Sequence, residues 1–540
     1  MTDSVTLSVV QNAASAVCEE MNATLVRTAH SPNIKERRDC SCALFDAEGR
    51  MVAQAENIPV HLGAMPFSVE AALDAVPPST LEPGDAVLLN DPYHGGAHLP
   101  DLTLVSPVFS EGELVAFVAN RAHHADVGGA RAGSVAADST ELYQEGLRIP
   151  PVKLDDSVRT LLFANVRTPD ERRGDLRAQE AANEIGTRRF RDLVDERGHE
   201  ALADALADLR AYSRRRMRGE ITALPDGTYR FTDYLDDDGR GNTDLPVVAT
   251  VTVDGETLSV DFEGTAARTE GPLNAPPAVT ASATYFAVRA VADPDIPPNA
   301  GAYDPIELSL PEDSLVNPDP PAPVVGGNLE TSQRVTDVVL GALAQAVPER
   351  AVAAGQGTMN NVTFGGIDPR ADSPFTFYET QGGGFGGRAG KDGMDGVQVH
   401  MTNTLNTPVE VLETAYPLRV RRYALRPDSG GDGTYRGGLG LRRDIEVRTA
   451  CTCSVLADRQ RQAPYGIEGG EAGATGETRV NGEPVPGKST HDLDPGDVVS
   501  LSTPGGGGYG DPNERDGDAR ERDRRLGKVT DEEGTGADDA

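Results

Sequence analysis

Val10, Ala14, Val17, Met21 and Leu25 follow one another at spacings of three or four, so the chain opens on an amphipathic helix. Ser31-Pro32-Asn33 stops it. From Cys40 to Ala55 the pattern becomes that of two strands turning at Asp46-Ala47-Glu48-Gly49. A short helix is expected over 67–76 and a buried strand over 86–89. Between 91 and 151 the chain is rich in His, Asp, Gly and Pro, with one clear strand over 114–118. Residues 169–218 are charged and helical, and the helix ends near Pro225-Asp226-Gly227. After that, 229–262 alternates apolar with polar and turns at Asp254-Gly255, a hairpin signal. Helices return over 279–291 and 333–346, and beyond Gly355 glycine clusters separate short strands.

These elements predict an α+β, multi-domain protein. An N-terminal α/β region (1–225) is followed by a mixed hairpin and helix region (226–350) and a β-rich, glycine-containing domain (351–512). The stretch 513–540 is charged and nearly free of large apolar residues, and is expected to be a disordered acidic tail.

Charge narrows the class. A net charge of -35 argues against nucleic acid or an anionic membrane as a main partner. Lys occurs only at 35, 153, 391, 488 and 528, so nearly all the basic residues are Arg, and there is no Trp. With 85 acidic residues, this texture points to a halophilic source, where salt screens the repulsion. The first eight residues lack the basic and apolar regions of a signal peptide, and no window is apolar enough to span a membrane, so a cytoplasmic location is expected. The five cysteines, Cys18, Cys40, Cys42, Cys451 and Cys453, form two C-x-C pairs and a single residue. That suits neither a zinc site nor a disulfide framework, and they are read as reduced core residues.

The chemistry concentrates in two segments. One is Asn90-Asp91-Pro92-Tyr93-His94-Gly95-Gly96-Ala97-His98-Leu99-Pro100-Asp101, a loop at a strand end. The other is Asn120-Arg121-Ala122-His123-His124-Ala125-Asp126-Val127-Gly128-Gly129. Four of the nine histidines fall within 31 positions, each near an Asp. Neutral imidazoles and carboxylates are the ligands of Zn, Mn or Fe(II), and two His with one carboxylate leave positions open for water and substrate. His98-x-x-Asp101 supplies two ligands from one loop. The third comes from His123 or His124, which point opposite ways in strand geometry.

These two segments resemble the hydantoinase B/oxoprolinase family. The likeness continues through Asn33-Ile34-Lys35-Glu36-Arg37-Arg38-Asp39, Tyr143-Gln144-Glu145-Gly146-Leu147-Arg148, Gly327-Asn328-Leu329-Glu330-Thr331-Ser332-Gln333-Arg334 and Gly505-Gly506-Gly507-Gly508-Tyr509-Gly510, covering roughly 3–512. His94 departs from the pattern and could tune the site or add a ligand. The resemblance implies a divalent metal held by Asp39, His98, Asp101 and His124. It also implies catalytic roles for Glu36 (as general base), His123 and Asp126, and substrate contacts from Asn90, Tyr93, Arg121 and Glu145. The implied reaction is ATP-dependent hydrolysis of a cyclic amide such as 5-oxoproline or a hydantoin. A hydantoinase A-type partner subunit would bind the ATP and activate the substrate by phosphorylation, in a hetero-oligomer. The alternatives are ketone carboxylation at the same site, and a scaffold with a structural metal.

Two motifs look like nucleotide sites and are rejected. Gly482-Glu483-Pro484-Val485-Pro486-Gly487-Lys488-Ser489 satisfies the P-loop pattern, but its prolines lack the N–H donors that a phosphate cradle needs. Gly382-x-Gly384-x-x-Gly387 has no helix or ribose-binding acid after it. Both are read as turns of the β-rich domain.

Overall fold

A computed structural model describes residues 3–55 and 57–530. The first helix, α1 (Ser4–Thr28), is capped by Asp3, and the short α2 (Pro32–Lys35) is capped by Ser31. A six-stranded sheet follows, made of β1 (Cys40–Asp46), β2 (Met51–Gln54), β3 (Val87–Leu89), β4 (Asp101–Ser110), β5 (Glu113–His123) and β6 (Val152–Lys153). Its order is β2-β1-β5-β4-β3-β6. Helix α3 (Pro59–Ala75) covers one face, through Met65 and Val69 against Phe45 and Phe117. On the other face lie α1 and the long α5 (Pro169–Arg197), which follows α4 (Asp156–Ala164) and leads into α6 (His199–Ala223). There Cys18, Cys40, Cys42 and Met21 share one core. Because both faces of β1 are covered, its residues are buried without alternation, the pattern of a core strand.

Two differences from the sequence-based expectation bear on the site. The helix expected over 67–76 starts at Pro59, eight residues earlier, so it carries His61 into the interior. The strand β4 was not expected, and Pro107 within it is the reason: proline marks an edge or a break. Here β3 reaches along β4 only as far as Val105, so the N–H that Pro107 lacks is not needed on that side. In the β4–β5 register Asp101 stands opposite His123.

The middle of the chain forms a second sheet of β7 (Gly227–Asp237), β8 (Thr243–Asp254), β9 (Thr257–Asp261) and β10 (Ile306–Ser309). Packed with it are α7 (Pro277–Ala292), the short α8 (Ala300–Tyr303) and α9 (Ser332–Ala344), which is entered through one π-helical turn, Gly327–Thr331. The largest apolar core draws on all three expected regions, with Ile58, Val247 and Leu456 among its members.

The C-terminal part carries β11 (Asn361–Asp368), β12 (Ser373–Glu379), β13 (Leu418–Leu425), β14 (Leu441–Val447), β15 (Cys451–Leu456), β16 (Glu477–Val480), β17 (Glu483–Val485), β18 (Lys488–Leu493) and β19 (Val498–Ser502), with α10 (Val409–Ala415) beside β13. They form a four-stranded sheet, β12-β11-β15-β18, and a five-stranded sheet, β13-β14-β19-β16-β17.

The glycine clusters correct the expectation that they are turns. Successive N–H groups of the 505–510 run donate to different neighbours in a threefold rotation. Gly505 and Gly508 reach Ala474 and Glu471, Gly506 and Tyr509 reach Gly438 and Tyr435, and Gly507 reaches Ala354, after which Gly510 turns back to Ile467 and ends the rotation. On another flank, Gly384 and Gly387 donate to Pro504 and Gly507. A repeat of three with hydrogen bonds only to neighbouring chains is the geometry of an extended left-handed helix. Gly382-x-Gly384-x-x-Gly387 is thus one rod of a glycine bundle. A Cβ on Gly506 would stand 2.2 Å from the Phe385 carbonyl oxygen, and one on Gly505 1.7 Å from that of Ser429.

Residues 513–530, expected to belong to a disordered tail, are instead structured. Helix α11 (Gly517–Arg525) is capped by Asp516, and Arg515 bridges Asp392 at 2.7 Å and the buried Asp523 at 2.5 Å. These ion pairs replace the apolar burial that the segment lacks. Residues 531–540 lie outside the described residues.

Candidate metal centre

The sheet register places β1, β4 and β5 side by side, with Asp39, Asp101 and His123 at one end. The 90–101 loop folds over that end and delivers His98. Asn90 fixes the loop's shape, its Nδ2 donating to the carbonyls of Leu99 (2.7 Å) and Leu147 (2.9 Å) and its Oδ1 accepting from the Ile149 N–H at 2.7 Å. Gly96 is pressed between backbone atoms of Asn90 and Asp91, where a Cβ would meet oxygens at 2.6 Å.

Three atoms meet in a triangle. His98 Nε2 lies 3.0 Å from Asp101 Oδ1, His123 Nδ1 lies 3.1 Å from the same oxygen, and the two ring nitrogens are 3.1 Å apart. All three side chains are buried. Two imidazole nitrogens this close repel unless a proton or a cation stands between them. Burial holds His123 below its usual range, so it is a neutral ring with a lone pair to give. Burial opposes charge on Asp101 as well, yet the nearby His98 and His61 hold its carboxyl well below the usual range. His98 Nδ1 and His123 Nε2 have no hydrogen-bond partner among the described residues, and Asp101 Oδ2 meets only His61 Nε2, at 3.3 Å. A donor set of two imidazoles and one carboxylate, buried and incompletely satisfied, fits a divalent transition metal.

Around the triangle stand residues for which the sequence suggested no role. His61 Nε2 approaches Asp101 Oδ2 at 3.3 Å and Asp39 Oδ1 at 3.9 Å. Asn328, on the π-helical turn, brings Nδ2 to 3.2 Å from His98 Nε2, and its Oδ1 is unpartnered. Tyr378 of β12 stacks on His123 with ring centroids 4.8 Å apart, and the Arg37 guanidinium covers the same tyrosine ring at 5.0 Å. Asn328 follows Gly326-Gly327, and paired glycines signal a close backbone approach. A Cβ on Gly327 would stand 1.9 Å from the Asn274 carbonyl oxygen. Nothing in the periodicity around His61 or Tyr378 marks them.

Several expected site residues sit elsewhere or serve the scaffold. His124 turns to the opposite side of the strand end, where its Nε2 meets Gln179 Oε1 at 2.9 Å, and burial lowers it to about 4. It is therefore outside the triangle, and His123 stands in the place expected of it. Asp39 stays at the edge, 3.9 Å from both Arg37 and His61. Glu36 is half-buried at the end of α2 and makes no hydrogen bond or ion pair to the triangle among the described residues. Asp126 is saturated by the N–H groups of Gly128, Gly133 and Arg167 and by the Arg167 guanidinium, so it ties a loop and has no lone pair directed to a substrate. Glu145 accepts from Val324 N, Val325 N and Ser139 Oγ, anchoring the approach to the π-helical turn. The Tyr93 hydroxyl donates to the Ala322 carbonyl. Arg121 donates to Thr103 Oγ1 and Ser68 Oγ inside the sheet, with Nη1 left over, and burial lowers it to about 10. His94 is on the surface, paired with Asp91 at 2.7 Å. These polar atoms are committed to protein partners, which argues against direct substrate contacts for Asn90, Tyr93 and Glu145.

Lys488 of the P-loop-like stretch is sealed in an ion pair with Asp458 at 2.8 Å. Beside it, burial and the charge of Asp458 push Glu330 up to about 8, and Glu330 Oε2 has no partner among the described residues. A carboxyl raised from 4.5 binds its proton more tightly folded than unfolded, so the stability it supports falls as pH rises from 4.5 through 8. E330Q keeps an acceptor for the Met359 N–H and the Asn361 side chain. It should flatten that decline by up to ~1.4 kcal/mol per pH unit, as read from unfolding at a series of pH values.

A sequence model of the family described as hydantoinase B/oxoprolinase matches residues 3–512. An uncharacterized protein of Methanocaldococcus jannaschii is 44% identical over 95% of this chain and 92% of its own length. The 5-oxoprolinase 1 of Arabidopsis thaliana is 38% identical over 94% of this chain, which spans only 42% of that longer protein. Among solved structures, the ATP-dependent caprolactamase from Pseudomonas jessenii superposes with a TM-score of 0.91 at 31% identity, over 98% of this chain and 95% of that one.

Proposed function

Because the chain belongs to the hydantoinase B/oxoprolinase family, we propose that it is the metal-bearing subunit of an ATP-dependent enzyme that opens a cyclic amide by hydrolysis. The observation that carries this reading is the triangle of His98 Nε2, Asp101 Oδ1 and His123 Nδ1, buried together with unsatisfied atoms. A divalent ion there would supply Lewis acidity, polarising the oxygens it touches and easing loss of a proton from water.

The chain's own residues do the rest. His98, His123 and Asp101 hold a compact negative-to-neutral donor set. His61 steadies the second oxygen of Asp101, and Asn328 offers an amide beside His98 that can orient a substrate oxygen. Tyr378, stacked on His123, fixes that ring and closes the wall against bulk water, as a partner that orients a ligand does.

An unactivated amide is a poor electrophile. The relative named as caprolactamase is ATP-dependent, yet both nucleotide-like motifs of this chain are structural. The chain also corresponds to 42% of the Arabidopsis protein but 92% of the Methanocaldococcus one. The reading therefore includes a hydantoinase A-type ATP-binding partner, which activates the substrate as a phosphorylated imidate.

The test is co-expression with such a partner, followed by metal analysis and by product and ADP measurement with 5-oxoproline, hydantoin and ε-caprolactam. Ring-opened product that requires both chains, ATP and bound metal is the expected result. Turnover by this chain alone without ATP would overturn the reading. So would a carboxylated product from a ketone and bicarbonate with no ring opening.

A further inference from the structure

Two arms leave the π-helical turn Gly327–Thr331 and end on the two imidazoles of the triangle. The first is direct, with Asn328 Nδ2 at 3.2 Å from His98 Nε2. The second passes through three side chains. Glu330 Oε1 accepts from Asn361 Nδ2 at 2.8 Å, and Asn361 Oδ1 accepts from the Tyr378 hydroxyl at 3.0 Å. The Tyr378 ring then stacks on His123 with 19° between the planes. Residues two apart on a helical turn point to roughly opposite sides, so one turn can serve both directions. Because His98 Nε2 and His123 Nδ1 are themselves 3.1 Å apart, the two arms close into a ring of contacts.

Each joint of the longer arm is buried and pinned. Glu330, Asn361 and Tyr378 are all buried. Asn361 Nδ2 also donates to the Leu456 carbonyl at 2.8 Å, so both its protons are used and its oxygen is left facing the tyrosine hydroxyl. Glu330 Oε1 is held in turn by the Met359 N–H at 3.2 Å. Stacking alone lets one ring slide across another, and a hydroxyl tied at its far end stops that motion. Phe375 and Phe377 of the same strand pack without a hydroxyl, so apolar cover alone does not call for a tyrosine at 378.

We propose that Glu330 and Asn361 are positioning residues, fixing the His123 ring through Tyr378 so that the π-helical turn sets the mutual orientation of both imidazoles. The arm itself stands on these contacts, and its purpose of shaping a metal site rests on the proposed function. What the arm needs at 330 is an acceptor and not a charge, so glutamine suffices there and leucine does not.

Two measurements on the full chain test this. In the metal-free protein, ring Cε1 signals of carbon-13-labelled histidines are read by NMR, with that of His123 identified by its loss in His123→Ala. Wild type and Glu330→Gln should give one sharp His123 signal, and Tyr378→Phe and Glu330→Leu should broaden or double it. Co2+ is then added as the probe, and its affinity is measured by competition with a chelator. Tyr378→Phe and Glu330→Leu should each weaken Co2+ binding about tenfold or more and shift its visible absorption bands. The double variant should be no weaker than the weaker single one, because both changes cut the same arm. Glu330→Gln should match wild type. Ser213→Ala, which removes a buried bond to Pro297 far from the triangle, should lower the melting temperature and leave Co2+ affinity unchanged.

Unchanged Co2+ affinity in Tyr378→Phe would overturn the proposal whatever the ring signal shows, and this single-atom change does not depend on Glu330→Leu folding. Additive losses in the double variant, or an equal loss in Ser213→Ala, would overturn it as well. If wild type binds no Co2+, the metal-bearing reading falls, and the His123 signal alone decides whether the arm stands.

Discussion

Replacing His123 by alanine is expected to strip the chain of its divalent metal and of ring-opening activity, whereas His124→Ala keeps the metal. The two residues are neighbours in sequence, but the strand turns them apart. His123 Nδ1 is 3.1 Å from Asp101 Oδ1, while His124 Nε2 is held by Gln179 on the other side. Removing a group that only supports a ligand costs roughly 10–100-fold in metal affinity, so removing a ligand should cost more than about 100-fold. His98→Ala and Asp101→Asn should behave as His123→Ala does. His124→Ala should instead lower the melting temperature, because it leaves the buried Gln179 oxygen without its partner. Metal content of the purified variants, read with their melting curves, separates these outcomes. Equal metal loss in both histidine variants at unchanged stability would defeat the assignment of His123.

The second large effect is structural. Gly506→Ala should destabilise the C-terminal part of the chain by more than about 4 kcal/mol, the range reserved for severe core defects. The added Cβ would lie 2.2 Å from the Phe385 oxygen, 2.4 Å from its carbonyl carbon and 2.8 Å from the Gly386 nitrogen. All three are backbone atoms of a neighbouring rod, so no side-chain rotation relieves the clash. The rods also hold one another through N–H donations from 505 to 510, and a shift in one breaks bonds to several. Gly517→Ala is the control: nothing lies within 4 Å of its Cβ, and it sits at the start of α11, so the change should be neutral or slightly stabilising. Denaturant unfolding and limited proteolysis of the two variants give the comparison, and similar stability for both would refute the packed-rod account. Metal affinity should fall in Gly506→Ala too, because Tyr378 reaches His123 from this part of the chain.

Much of the site is legible in the sequence. His98 and Asp101 are three apart on one loop, and the His123-His124 pair ends a strand, so local spacing is enough to bring ligand types together. Local spacing cannot choose between His123 and His124, because that depends on which face of β5 meets the loop. Roles read from motif membership fared differently. Asn90, Asp126 and Glu145 stand in long motifs, yet their hydrogen bonds go to backbone N–H and carbonyl groups of loops. A motif records that a residue is needed and does not distinguish holding a loop from holding a ligand.

By itself the sequence determined the helix-forming stripes, the hairpins over 40–55 and 229–262, the His98/Asp101 pair and the lack of a usable phosphate loop in the P-loop-like stretch. Each of these depends on residues within about one turn or one hairpin of each other. Tertiary structure alone decided the rest. His61, Asn328 and Tyr378 converge on the triangle from segments up to 280 positions away, as the numbering from His98 to Tyr378 shows. The glycine runs became a bundle because each rod's N–H groups need partners on other rods, which no single segment can show. Order between 513 and 530 likewise came from Asp392, a residue more than a hundred positions earlier, because an ion pair can fix a segment that has little apolar surface to bury.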